Sequence, residues 1–174
     1  IKHGVIADET LFQHMEDHVE AILACDLEAL IFPVKRSCEI KATIVAADEK
    51  EHGMRANLNY GHTFGHGIEA VTHYSKFLHG EAIAIGMSAA AALSQELGLV
   101  DAAFVERQKA CFTAYGLPTH WDEMPVDEVL EAMKHDKKAR AGTLKFVVAD
   151  RMGHVLHRSD ITEDQARRAL EAVC

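Results

Sequence analysis

Disulfide-forming capacity is the first thing this chain lacks. Its four cysteines, Cys25, Cys38, Cys111 and Cys174, are scattered and form no C-x-x-C pair. That spacing argues against a disulfide framework and predicts reduced, mostly buried thiols of a cytoplasmic protein. Long apolar runs are missing too. The longest, Ala82 to Leu93, is rich in small residues and too short to span a bilayer, and no signal peptide is visible. Positive charge is in deficit: 18 Lys and Arg stand against 27 Asp and Glu, for a net charge of −9. Nucleic acid and anionic membranes are therefore not expected partners, and any cluster of cations is a local site. The sequence has no internal repeat, low-complexity tract or interdomain linker.

What is there is an ordinary globular composition. With 174 residues, 48% of them hydrophobic and 26% charged, the chain is long enough for one domain with a real core. Apolar residues Leu11, Phe12, Met15, Val19, Ile22 and Leu23 recur at helical spacing and predict a helix over 8–24. Pro33 suits the first turn of a second helix running towards Asp48. Gly53 breaks the charged stretch that follows, and a third helix is expected from about 56 to 71. A fourth begins near His79 and ends before Gly98; its alanines and Gly86 let a neighbour approach closely, which makes it central. Asp101 to Tyr115 reads as a fifth, closed by Gly116 and Pro118. Val126, Val129, Leu130 and Met133 mark a sixth. Only then does the period change: Leu144, Phe146 and Val148 alternate, and Val155 and Leu156 follow a turn at Met152-Gly153, which predicts a hairpin. Thr162 and Gln165 form a capping box for a last helix. The expected fold is mainly α, a helical bundle-like domain over 1–174 with a small β-hairpin near its C-terminal end.

Chemistry concentrates between Glu51 and Glu81. Glu51, Arg55, Asn59, His62, His66 and Glu69 are spaced 4, 4, 3, 4 and 3, so from Arg55 onward they share one polar face if the helix starts early enough. An ordinary solvated face favours Glu, Lys and Arg; two histidines and an asparagine fit it poorly. His62 and His66, at i and i+4, are spaced to chelate one metal, or to place one ligand beside one acid/base group. Spacing leaves both open. His79 opens the next helix, with Gly80 permitting close backbone approach. Lys2, Lys41, Arg55, Lys137 and Lys138 supply scattered positive charge. Converging on the histidines, they would make a site for phosphate or carboxylate.

These segments resemble the C-terminal domain of the 3-dehydroquinate synthase family. The likeness runs through Ile1-Lys2-His3-Gly4, Arg36-Ser37-Cys38-Glu39-Ile40-Lys41, Ala47-Asp48-Glu49, Arg55-Ala56-Asn57-Leu58-Asn59, Gly61-His62-Thr63-Phe64-Gly65-His66, His79-Gly80-Glu81-Ala82, Gly116-Leu117-Pro118 and Asp136-Lys137-Lys138. The resemblance implies an NAD- and metal-dependent lyase of the shikimate pathway that turns 3-deoxy-arabino-heptulosonate 7-phosphate into 3-dehydroquinate and phosphate. It implies that His62 and His79 are ligands of a divalent metal, zinc or cobalt. Glu51 and His66 correspond to proton acceptors, and Lys2, Lys41, Arg55, Asn59 and one of Lys137 or Lys138 to substrate-binding positions. The partner implied is a small sugar acid phosphate, and the complete enzyme is expected to be a cytoplasmic homodimer.

Two parts of the family pattern fall outside this sequence. The third metal ligand, a glutamate two positions before Ile1, is one. The other is the N-terminal NAD-binding domain: no G-x-G-x-x-G cradle occurs here. The chain, which begins without Met, is thus expected to be the C-terminal domain of a longer protein and inactive alone. The competing readings are a related sugar-phosphate cyclase, a metal-dependent alcohol or glycerol dehydrogenase, or a non-enzymatic helical module. A dehydrogenase has little need of Lys41, Arg55 and Lys137 around its metal.

Overall fold

The computed structural model describes residues 1–48, 53–139 and 144–174, with 136–139 described by their backbone alone. It is mainly helical with one small antiparallel hairpin, as the periodicity predicts. At the centre is α6 (His79–Glu96), whose stretch from Ala82 to Ala91 is buried without interruption. Small side chains allow neighbours to close on every side of it, and a helix apolar all round belongs inside. Packed against it are α5 (His62–Val71), α7 (Ala102–Ala114), α9 (Glu163–Glu171) and strand β1 (Phe146–Arg151), while α8 (Val126–Ala139) covers α5. Thr162 with Gln165 closes the expected capping box at α9, and the Asp101 carboxylate caps α7 by accepting from the Phe104 N–H.

Strand β1 pairs with β2 (His154–Arg158), Val148 opposite Leu156. Its residues Phe146 to Ala149 are all buried, not alternately so, because α6, α1 (Lys2–Ala7) and a 3-10 helix at Met54–Asn59 all pack on it. Hydrogen bonds to the helices fasten the hairpin. The buried Ser94 hydroxyl of α6 accepts from the Ala149 N–H at 2.9 Å, and the Gly153 N–H at the turn donates to the Val5 carbonyl at 2.9 Å.

The first third of the chain departs from the periodic pattern. Residues 8–24 form not one helix but α2 (Glu9–Asp17) and α3 (Val19–Leu23). The break falls at His18, whose ring turns back to the His14 carbonyl (3.0 Å). Ahead of them stands α1, too short to show a period. Asp8 separates α1 from α2, capping α2 through the Leu11 N–H and pairing with Arg36. The next helix, α4 (Leu27–Ala47), begins six residues before Pro33, because Asp26 accepts from the N–H groups of Glu28 and Ala29 and sets the start there. Pro33 therefore lies inside the helix. Proline has no N–H for the carbonyl four residues back; His14 Nε2–H donates to that carbonyl, Ala29 O, at 3.2 Å.

Of the cysteines only Cys111 is buried; Cys25, Cys38 and Cys174 are exposed and all four are free. The expectation of mostly buried thiols is corrected. Cys38 continues an outward stripe of α4 made by Leu27, Ile31 and Val34, which are 77%, 64% and 57% exposed. Among the described residues no helix is long and apolar enough to cross a membrane.

Candidate metal and anion site

The polar face expected from Arg55 to Glu69 is not continuous. Gly61, at φ +78°, breaks it in the left-handed region that only glycine enters freely. Before the break, Met54–Asn59 is the 3-10 helix carrying Arg55 and Asn59; after it, α5 carries His62, His66 and Glu69. Between them the fully buried Tyr60 donates to Gln108 Oε1 (2.9 Å), and Gln108 Nε2 donates to the Met87 carbonyl (3.0 Å). Burial holds the Tyr60 phenol well above its usual pKa, so it remains a donor. The start of α5 is thereby fixed to α6 and α7.

Helices α5 and α6 meet through glycines. Gly65 lies against Ile83, and Gly86 against Gly61 and Gly65. The expectation of close approach at Gly86 holds, whereas at Gly80 it does not: nothing stands within 4 Å of the position a Cβ would take there. This contact sets the two helices so that three imidazoles converge. The ring centroids of His62 and His79 are 5.8 Å apart, those of His62 and His66 5.3 Å, and those of His66 and His79 6.4 Å. Two rings on one metal, each nitrogen about 2 Å from it, have centroids roughly 5–6 Å apart. Distance admits either pair containing His62.

Hydrogen bonding separates the three. His62 Nδ1 is 3.2 Å from the Tyr60 carbonyl and His79 Nδ1 is 2.9 Å from Glu69 Oε1. A carbonyl or carboxylate only accepts, so both rings carry the proton on Nδ1 and leave the Nε2 lone pair for a ligand. Among the described residues no such acceptor holds His66. His62 is also kept neutral: burial, then the charge of Lys2, lowers its pKa to about 4. Neutral imidazole is the metal-binding form.

Cations border the histidines on one side. Lys2 donates to the Leu58 carbonyl of the 3-10 helix at 2.7 Å. Its pKa is lowered, by burial first and then by Lys41. Neither lysine pairs with a carboxylate among the described residues, an arrangement suited to an incoming anion. His3, which sequence reasoning did not single out, lies beside them; burial and then Lys2 push its pKa down to about 4. Arg55 and Asn59 stand at either end of the 3-10 helix that Lys2 touches, half-buried, and the Arg55 N–H donates to Asp48 Oδ2 (3.0 Å). Glu51 lies outside the described residues. So do the side chains of Lys137 and Lys138, although their backbone forms the end of α8.

No three His, Cys, Asp or Glu side chains among the described residues form a complete metal site. The two anchored imidazoles are candidate donors only. Sequence reasoning also gave no role to Tyr60 or Glu69; the signal available was the i, i+3 spacing of His66 and Glu69, which cannot show that the carboxylate reaches across to another helix.

Comparison with known proteins places the chain in a family. The model of the family described as "3-dehydroquinate synthase C-terminal" matches residues 1–139. A 3-dehydroquinate synthase of Rhodopirellula baltica is 43% identical over 173 residues, covering 99% of this chain and 46% of that protein. One from Citrifermentans bemidjiense is 48% identical over 153 residues, covering 88% and 42%. The chain spans about half the length of the curated relatives it matches. Among solved structures, 2-epi-5-epi-valiolone synthase from Streptomyces hygroscopicus, with NAD+ and Zn2+ bound, matches with a TM-score of 0.88 at 22% identity, over 99% of this chain and 48% of its own. A 2-deoxy-scyllo-inosose synthase complexed with carbaglucose-6-phosphate, NAD+ and Co2+ matches with a TM-score of 0.66 at 20% identity, over 78% and 39%. At those identities the likeness is one of fold.

Proposed function

Because the chain belongs to the 3-dehydroquinate synthase family, as its C-terminal part, we propose that it is the metal- and substrate-holding half of a 3-dehydroquinate synthase. The complete enzyme converts 3-deoxy-arabino-heptulosonate 7-phosphate into 3-dehydroquinate and phosphate. The observation that carries this reading is the pair of Nδ1-anchored imidazoles, His62 and His79, beside Lys2 and Lys41, which pair with no carboxylate among the described residues.

In this reading His62 and His79 hold a divalent metal, zinc or cobalt, through Nε2, and a glutamate preceding Ile1 completes the set. Such an ion, when bound, would lower the pKa of substrate hydroxyls, and NAD, held by a preceding nucleotide-binding half, would supply hydride chemistry. Lys2 and Lys41 bind the carboxylate or phosphate of the substrate. Arg55, Asn59 and one of Lys137 or Lys138 complete its grip. His66, with neither ring nitrogen tied to a carbonyl or carboxylate among the described residues, takes a proton, and Glu51 shares that task. The curated relatives, at 43–48% identity, share one activity in their names; neither a cyclase acting on another heptulose phosphate nor a dehydrogenase is favoured.

The outward stripe Leu27, Ile31 and Val34 supports a homodimer, and three exposed free cysteines suit the reducing cytoplasm. The experiment that tests the function joins this chain to its own upstream half and assays two heptulose phosphates. Release of phosphate from 3-deoxy-arabino-heptulosonate 7-phosphate, and not from sedoheptulose 7-phosphate, is the expected result; the reverse preference overturns it. The chain alone should show no turnover.

A further inference from the structure

The proposed reaction leaves one buried charge without a task. The Glu69 side chain is only 7% exposed, and a carboxylate is seldom taken out of water unless something specific holds it. Its side-chain partner among the described residues is His79 Nδ1, at 2.9 Å. His79, by contrast, is 63% exposed and opens α6 next to Gly80, where no neighbouring group crowds the backbone. Packing does little to fix the direction of its ring.

The loop between the two residues is built at a cost. His73 and Tyr74 both have positive φ, 50° and 56°, a conformation that costs a non-glycine residue free energy and persists where the surroundings enforce it. Glu69 is also the loop's backbone anchor, since its carbonyl accepts from the Tyr74 N–H (2.9 Å) and from the Thr72 hydroxyl (3.2 Å). The chain doubles back on the turn of α5 that bears the carboxylate and delivers His79 to it.

We infer that Glu69 is a positioning residue of the metal site: its carboxylate sets the tautomer and direction of the His79 ring so that Nε2 is presented to the ion. This rests on the reading of His79 as a ligand. A carboxylate on the far nitrogen of a ligating imidazole fixes its orientation and raises its basicity, and removing such a partner weakens metal affinity by about 10- to 100-fold.

The test compares the chain with Glu69→Gln and Glu69→Ala. Long-range proton–nitrogen spectra of the metal-free protein report the His79 tautomer, and competition with a chromophoric chelator reports Zn2+ affinity. Glutamine keeps an acceptor for Nδ1–H and should preserve the tautomer with most of the affinity. Alanine should mix the tautomers and weaken Zn2+ by about 10- to 100-fold, with an unchanged circular dichroism spectrum. An Nε2–H tautomer at His79 in the unsubstituted protein overturns the inference without any variant, as does Zn2+ affinity unmoved in Glu69→Ala where His79→Ala abolishes it. Should His79→Ala bind Zn2+ as well as the parent, the metal reading itself fails, and this inference with it.

Discussion

Gly86 and Gly65 touch backbone to backbone: a Cβ at position 86 would lie 2.7 Å from the Gly65 nitrogen. That contact, more than any side chain, holds α5 at the distance that brings His62 within reach of His79. Gly86→Ala gains helix propensity of up to about 1 kcal/mol, yet the clash is with backbone, which cannot rotate away. Overpacking of this kind costs about 1–3 kcal/mol or more. A net fall in the urea midpoint is the expected outcome, with weaker Zn2+ binding as the helices separate. Gly80→Ala meets open space and should be neutral or stabilising by up to about 1 kcal/mol.

The three histidines should divide by role. His62→Ala and His79→Ala should each abolish Zn2+ binding in titrations of the chain. His66→Ala should leave that affinity within a few-fold, while turnover of the complete enzyme drops by about 100- to 10,000-fold, the range for loss of a general acid or base. Equal loss of metal from all three variants would count against the division.

His14 should matter to stability through the carbonyl that Pro33 leaves without a helical donor. Its removal in His14→Ala deprives Ala29 O of a half-buried hydrogen bond, at a cost of about 1 kcal/mol. Pro33→Ala returns a backbone N–H to the same carbonyl. In that background His14→Ala should cost less, and a double-mutant cycle in urea measures the coupling.

Acid should destabilise the metal-free protein over a defined window. His3 and His62 have folded pKa values of about 4 against 6.5 unperturbed. The unfolded chain therefore takes up protons first. The stability these two groups contribute is complete above pH 6.5 and is lost as pH falls towards 4. The urea midpoint of His3→Gln should fall less steeply across that window than that of the parent; parallel curves would show that His3 does not titrate in this way.

Legibility in the sequence followed length and punctuation. The helices at 79–96, 102–114 and 126–139 are marked by their apolar residues and by stops such as Gly98, Gly116 and Pro118, and the hairpin shows itself by alternation around Met152-Gly153. Failures lie where a side chain competes with periodicity: His18 bonding back to His14, Asp26 starting a helix well before the proline, Asp8 dividing two short ones. At the site, the residue types of His62, His66 and His79 were visible, but the 3-10 segment and the turn at Gly61 were not. A helical wheel drawn from Arg55 carries straight through a residue that reverses φ. The anchoring of His79 by Glu69 crosses from one helix to another, which no local spacing encodes.

The bond from Gly153 to Val5 has a consequence for how the molecule is made. Lys2 and His3 ride on α1, yet α1 is clasped by the Met152-Gly153 turn far along the chain. A ribosome must release the chain past this hairpin before α1 can be clasped, so shortened products ending ahead of it would leave Lys2 adrift, however well their inner helices had formed.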